Sequence, residues 1–205
     1  MFQLDNKRLV VGITGASGSI YGIRLIETLL DLDYEVHLVI SNAGWRVLKE
    51  ELDWEVTNRE RILDEKFGGR SGSLIYHPVS DIGASIASGS FLADGMIVMP
   101  CSMGTLSSIA QGASDNLMAR AADVMMKEGR PLILVPRETP LHAIHLENML
   151  KLSRLGVRMI PAMPAFYYKP RTMDDLIMFL VGKVLDSLRI PHQLFRRWGE
   201  PDSRD

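Results

Sequence analysis

Apolar residues along this chain follow two alternating rhythms. Short, nearly continuous runs read as strands buried on both faces: residues 9–13 (LVVGI), 34–40 (YEVHLVI), 96–99 (MIVM), 132–135 (LILV) and 157–160 (VRMI). Between them, apolar positions recur every three or four residues. Ile23, Leu25, Ile26, Leu29 and Leu30 predict the inner face of one helix, and Trp45, Leu48 and Leu52 that of a second over 43–52. Further helices are predicted from about Leu106, over 117–127 with Asp115 or Asn116 as cap, over 142–155 and over 174–188. Strands alternating with helices predict an α/β fold, a parallel sheet with helices on both faces. Residues 57–79 fit neither rhythm well. They hold a charged stretch (58–66), the run Gly68-Gly69-Arg70-Ser71-Gly72 and a short strand candidate at 74–76, and are expected to be peripheral.

The turns between these elements carry the chemistry. The first strand leads into Thr14-Gly15-Ala16-Ser17-Gly18 and then a helix. Small residues let an anion approach the backbone, and a helix start supplies free N–H groups and a partial positive charge. The turn therefore reads either as a phosphate pocket or as a tightly packed βα turn that binds nothing. It lacks the G-K-[ST] of a Walker loop. The second strand ends at Ser41-Asn42, without the carboxylate that would hold a dinucleotide ribose. The strand at 96–99 is expected to stop at Pro100, before Cys101-Ser102-Met103-Gly104-Thr105, a second small, hydroxylated turn. Two such turns at strand ends suggest one crevice in an open parallel sheet.

Other candidates follow along the chain. Residues 84–90 (ASIASGS) form a small-residue loop, too polar for core, which reads equally as a ligand approach or a surface turn. Arg120 and Lys127 lie two helical turns apart on one face, either as solvent decoration or as a clamp for a second phosphate. Pro136-Arg137-Glu138-Thr139-Pro140 presents an Arg–Glu pair rigidly between prolines at a strand end. The proline-bracketed loop holding Phe166, Tyr167 and Tyr168 either folds over an apolar ligand or docks on another subunit. Trp198 needs a surface too, as an oligomer contact or a lid. His142, His145 and Glu147 lack zincin spacing, so no metal site is expected.

Composition narrows the class. The 205 residues, 46% hydrophobic and 23% charged, suit one domain with a full core, and the formal net charge of −2 gives no nucleic-acid footprint. No apolar run reaches the length of a membrane span. The first eight residues lack the apolar core of a signal peptide, and the single Cys101 allows no internal disulfide, so a cytoplasmic location is expected. Cys101 beside Ser102 could suggest a nucleophile, but a small buried thiol is the commoner use.

Four segments together resemble the UbiX family of flavin prenyltransferases. They are Thr14-Gly15-Ala16-Ser17-Gly18 with Tyr21-Gly22, Pro100-Cys101-Ser102-Met103-Gly104-Thr105-Leu106, Arg120-Ala121-Ala122-Asp123-Val124 through Lys127-Glu128, and Val135-Pro136-Arg137-Glu138-Thr139-Pro140. His145-Leu146-Glu147-Asn148, Pro164-Ala165-Phe166-Tyr167 and Arg197-Trp198 extend the likeness over most of the chain outside 57–79. The resemblance implies a Rossmann-like or flavodoxin-like homo-oligomer, typically a dodecamer, with sites between subunits. Residues 1–190 would form a single flavin-binding domain, and 191–205 a tail serving site closure or oligomer contacts.

The family joins a dimethylallyl group from dimethylallyl phosphate to N5 and C6 of reduced FMN, without a metal, and passes the prenylated FMN to a UbiD-type decarboxylase. Carried over, Gly15, Ala16 and Ser17 would hold FMN, with Ser17 also near the reacting edge. Ser41, Ser102, Met103, Gly104, Thr105 and Arg137 would complete that pocket. Arg120, Lys127, Tyr167 and Lys183 would bind the prenyl phosphate, Lys183 least securely because the family often has Arg there. Glu138 would be the acid/base group, Glu51 would contribute from the facing wall, and Trp198 would help close the site. The residues themselves give Glu51 little weight. Asp174-Asp175, followed by Leu-Ile-Met, fails the D-D-x-x-D pattern of metal-dependent prenyl synthases. A flavin-dependent decarboxylase of cysteinyl substrates and a non-catalytic FMN carrier are the rival readings.

Overall fold

The computed structural model describes residues 7–199. Six strands, β1 (Arg8–Ile13), β2 (Glu35–Ile40), β3 (Ser73–Pro78), β4 (Gly95–Cys101), β5 (Leu132–Pro136) and β6 (Arg158–Met159), form one sheet in the order β3-β2-β1-β4-β5-β6. Every neighbouring pair is parallel. Seven helices connect and flank the strands: α1 (Ser19–Asp31), α2 (Asn42–Leu52), α3 (Arg59–Phe67), α4 (Met103–Ala110), α5 (Leu117–Lys127), α6 (Ala143–Arg154) and α7 (Met173–Leu188).

Alternation along the strands divides the core in two. Leu9, Val11, Ile13, Val36, Leu38, Ile40, Ile97 and Met99 pack on one face with α1, α2 and α7. Val10, Val39, Met96, Val98, Leu132 and Leu134 pack on the other with α4 and α5. The central strands are therefore sealed on both faces, which explains their nearly unbroken apolar sequence. Full burial of each such side chain contributes about 1.5–3 kcal/mol, so the strand ends are rigid platforms for the loops they carry. Strand order reverses between β1 and β4, so the loops after these strands, at the carboxyl edge of the sheet, mark the crevice in which open α/β folds bind ligands.

Several local expectations change. β4 continues through Pro100 to Cys101 rather than stopping at Pro100. Proline has no N–H for the ladder, and the register with β5 is irregular there, between Val98 and Cys101. Helix α4 starts at Met103, not near Leu106, because the Ser102 side chain caps it. The charged stretch after residue 57 is a helix, α3, capped by Asn58, with only Ile62, Leu63 and Phe67 buried. Polar residues hide so narrow an apolar stripe from a periodicity reading. The loop at 84–90 contains a short 3₁₀ turn, Ser85–Ala87, whose Ile86 is fully buried in the second core, so it is not wholly too polar for core. The strand expected over 157–160 shrinks to the two residues of β6. Of the proposed tail, residues 200–205 lie outside the described residues.

Candidate functional site

The crevice floor is built by Thr14, the first residue after β1. Its fully buried hydroxyl donates to Pro100 O at 2.7 Å and accepts the Ser102 N–H at 2.8 Å. The Thr14 N–H also reaches Pro100 O, at 3.3 Å. One side chain thus ties the end of β1 to the end of β4 across the switch point. Gly15 follows, and a Cβ there would stand 2.6 Å from the Ala43 Cβ. Glycine at 15 is demanded by packing against α2. Ala16 is buried, whereas Ser17 is exposed.

The start of α1 behaves as an anion site, but the anion belongs to the protein. Glu51, in the last turn of α2, accepts the Gly18 N–H at 3.0 Å, the Ser19 N–H at 2.9 Å and the Ser19 hydroxyl at 2.8 Å. Burial pushes the Glu51 carboxyl up, but hydrogen bonds from the Ser17 and Ser19 hydroxyls and the two amides outweigh it and hold the group below its ordinary value. The Gly18 and Ser19 amides are thus already taken, and Glu51 is bound to the start of α1 rather than being an ordinary solvated charge. The helix dipole and free amides attract negative charge as expected, and a carboxylate 32 residues away in sequence already supplies it.

The second turn is the open one. Ser102 caps α4 by accepting the Thr105 N–H at 3.3 Å, and the two hydroxyls lie 3.1 Å apart. As first-turn residues, Met103 and Gly104 carry N–H groups that the helix cannot satisfy internally. Gly104 is exposed, and a Cβ there would meet nothing within 4 Å. Ser41 caps α2 by accepting the Gly44 N–H at 2.9 Å, and its own N–H is fixed to Ile13 O. From the end of β5, Arg137 crosses the crevice and donates through Nε to Ser17 O at 3.1 Å. Burial raises the Tyr21 phenol, and the nearby Arg137 charge pulls it the other way. Glu138 stands exposed beside Arg137 and accepts the Thr139 N–H at 3.0 Å. Ser41, Ser102–Thr105, Arg137 and Glu138 thus follow the carboxyl ends of β2, β4 and β5, Arg137 joins them to Ser17, and Glu51 holds the start of α1.

The remaining predicted residues form two other groups. Arg120 donates through Nε to Ala87 O at 3.1 Å and pairs with Asp123 at 3.1 Å. Lys127 pairs with Glu128 at 3.4 Å, beside Gly89. The third group is aromatic: Tyr167 packs edge-on against Trp198 at 5.4 Å and against Phe179 of α7, which also carries Lys183. Trp198 is 82% and Phe166 69% exposed, far above the norm for such large rings. Within the chain, the basic face of α5 and the aromatic group each have partners of their own.

Reasoning from sequence missed Thr14 as a determinant and Asp186, which binds the tail. The first had a signal, a small hydroxyl residue directly following a sealed apolar strand; the second had none. Cys101 is fully buried, and its thiol is pushed up to about 12 by burial alone, which removes it as a nucleophile. Among the described residues, no group of three or more His, Cys, Asp or Glu is arranged to hold a metal ion, and no helix is long and apolar enough to cross a membrane.

Residues 2–185 match the family model described as Flavoprotein. The flavin prenyltransferase UbiX of Alkalihalophilus pseudofirmus is 58% identical over 98% of this chain and all of its own length. That of Pseudomonas aeruginosa is 45% identical over 95% of each. The chain belongs to the UbiX family. Among solved structures, the AnUbiX (PadA1) complex with FMN and dimethylallyl pyrophosphate superposes with a TM-score of 0.86, at 42% identity, covering 95% of this chain and 98% of that one. The structure described as a dodecameric FMN-dependent UbiX-like decarboxylase from Escherichia coli O157:H7 also gives 0.86, at 45% identity, covering 94% of this chain and all of that one. The cypemycin decarboxylase CypD, at 18% identity and a TM-score of 0.62, shares the fold alone. Relatives and UbiX-type structures thus agree with the fold and family expected from the four motifs.

Proposed function

We propose that this chain is a flavin prenyltransferase, moving a dimethylallyl group from dimethylallyl phosphate to N5 and C6 of reduced FMN. The observation that carries this reading is its end-to-end likeness to UbiX proteins, one of which is solved with FMN and a dimethylallyl ester together. The crevice residues fit FMN. The open α4 start at Gly104, the hydroxyls of Ser41, Ser102 and Thr105, and the Arg137 guanidinium suit a phosphate and a polar ring edge. Bound reduced FMN supplies the electron-rich atoms that accept the prenyl carbon.

The chain's own groups do the rest. Arg120, Lys127 and Lys183 grip the prenyl phosphate and stabilise the charge that grows on oxygen as the C–O bond breaks. Tyr167 adds a phenolic donor, and with Trp198 it screens the apolar prenyl chain from water. Glu138 moves protons between N5 and the leaving phosphate. Glu51, held ionised by α1, fixes the Ser17 hydroxyl through the bond they share. Neighbouring subunits complete the site, in a homo-oligomer like the dodecameric Escherichia coli protein. A UbiD-type decarboxylase is the recipient of the product, and a cytoplasmic location suits both reduced flavin and a free thiol. Residues 1–190 act as the flavin domain and the tail from 191 as closure.

The test is anaerobic incubation with reduced FMN and dimethylallyl phosphate, without added metal, followed by mass analysis of the flavin. A flavin heavier by one C5 prenyl unit is the expected result. Bound but unmodified flavin, with the diphosphate inert too, would overturn the transferase reading.

A further inference from the structure

Helix α7 carries Gly182 in its middle, where glycine is among the poorest choices. Its neighbours supply the reason. A Cβ at 182 would lie 2.5 Å from the Phe195 ring and 2.8 Å from the His192 ring. One turn on, and on the same face, Asp186 gathers the tail. Its Oδ1 accepts from His192 Nε2 at 3.1 Å and from Arg197 Nη2 at 2.8 Å, and its Oδ2 accepts from Arg197 Nη1 at 3.2 Å. The Leu194 N–H donates to His192 Nδ1 at 3.2 Å, which leaves the proton on Nε2, facing Asp186. Although burial pushes the Asp186 carboxyl up, Arg197 and His192 together hold it below its ordinary value.

The same face leads to the aromatic group. Phe195 packs on Phe179 at 4.8 Å, Tyr168 stacks on Phe179 at 5.0 Å, and the Tyr168 hydroxyl donates to Asp175 O at 3.0 Å. Trp198 then meets Tyr167 at 5.4 Å. Two chain segments remote in sequence, the 164–170 loop and the 191–199 tail, are thus held by one face of α7.

We propose that Gly182 and Asp186 are positioning residues: they latch the 191–199 segment onto α7 and so set Trp198 and, through it, Tyr167 for the prenyl phosphate. The identity of that ligand rests on the proposed function; the latch does not. Two effects of Asp186 oppose each other. It lies 3.9 Å from Lys183 Nζ and competes with phosphate for that cation, but an exposed ion pair at that separation is weak. The three charge-assisted hydrogen bonds to the tail are stronger, so the latch prevails. Removing the carboxylate weakens donor binding even though it frees Lys183.

The experiment compares wild type with Asp186→Asn and Gly182→Ala, the second of which disturbs the tail without touching the Lys183 pair. Readouts are the rate of tryptic cleavage at Arg196 and Arg197, FMN binding, and the kcat and KM for dimethylallyl phosphate. Both variants are expected to bind FMN normally, to be cleaved about ten-fold faster, and to raise the donor KM roughly ten-fold with kcat changed little. Phe195→Ala reaches the same end from the tail side should α7 tolerate neither change. Unchanged cleavage in all variants would overturn the latch. Faster cleavage with an unchanged donor KM would overturn the positioning role, and a lowered KM in Asp186→Asn alone would reduce Asp186 to a competitor for Lys183. A wild-type protein that prenylates nothing would overturn the proposed function, and the cleavage rates would still decide the latch.

Discussion

The carboxylate at the start of α1 gives a prediction with a definite sign and size. Glu51→Gln keeps the side chain's shape but removes its charge. Three groups, the Gly18 and Ser19 amides and the Ser19 hydroxyl, lose an ionised acceptor at 2.8–3.0 Å. Losing a comparable cap costs about 0.5–2 kcal/mol, and losing a charge at a helix N-terminus about 0.3–1 kcal/mol. Glu51 is exposed, so water makes up part of both, and the net expectation is about 1–2 kcal/mol at neutral pH. For a chain of this size that corresponds to a fall in Tm of roughly 2–8 °C.

The pH dependence follows from the direction of the shift. Because the folded carboxyl titrates below its unfolded value of 4.5, its contribution is complete above that pH. It disappears as pH falls through the lower, folded value. Thermal melts of both proteins between pH 7 and pH 3 should therefore converge below about pH 4.5. A further arm uses Glu51→Ala, which empties the α1 start. Inorganic phosphate should raise the Tm of this variant more than that of wild type, since the freed amides can take an external anion. Equal melting temperatures at pH 7, or a gap that widens on acidification, would refute the view that Glu51 is the resident anion of α1.

Three other substitutions probe the crevice and the core. Thr14→Val should cost about 1–3 kcal/mol in urea denaturation, because it leaves the Ser102 N–H without its buried acceptor, and FMN affinity should fall with it. Gly104→Ala meets no protein atom, so its Tm should change by no more than about 2–4 °C, upward if at all. Its FMN affinity, followed by flavin fluorescence, should drop roughly ten-fold if the α4 start holds the phosphate. Cys101 should resist iodoacetamide in the native protein at pH 8, with the thiol buried and titrating near 12. Cys101→Ala should retain activity; rapid alkylation coupled to loss of turnover would contradict this.

How much the sequence revealed depended on the range of the interactions involved. The apolar runs placed the sheet because strand burial is written locally, in nearly continuous branched residues. The Asn116 cap was equally local, whereas the Thr172 cap that starts α7 at Met173 was not read. Helix α3 escaped because its buried stripe is only three residues wide. The attraction of the α1 start for an anion was legible, but not that Glu51 takes its Gly18 and Ser19 amides. These amides attract an anion whatever the fold, but that Glu51 arrives there depends on how α2 lies against α1. Arg137 could be placed at a strand end, yet its reach to Ser17 joins residues 120 apart in sequence. The Gly182 contact depends likewise on where the tail returns, and no local pattern encodes that.

The cations assigned to the prenyl phosphate share a further property that sequence spacing could only hint at. Each rests beside a carboxylate of its own helix or helix end: Arg120 by Asp123 at 3.1 Å, Lys127 by Glu128 at 3.4 Å, and Lys183 by Asp186 at 3.9 Å. A site gathering three bare cations would repel itself before ligand arrived, at several kcal/mol for close pairs in a partly dry cleft. Neighbouring carboxylates relieve that repulsion in the resting protein. All three pairs are partly exposed, so each contributes only about 0–1 kcal/mol and yields readily to a stronger partner. A phosphate dianion is such a partner, since it can accept charge-assisted hydrogen bonds from several cations at once. On the proposed assignment of these cations, the arrangement reconciles a stable empty protein with binding of the prenyl phosphate.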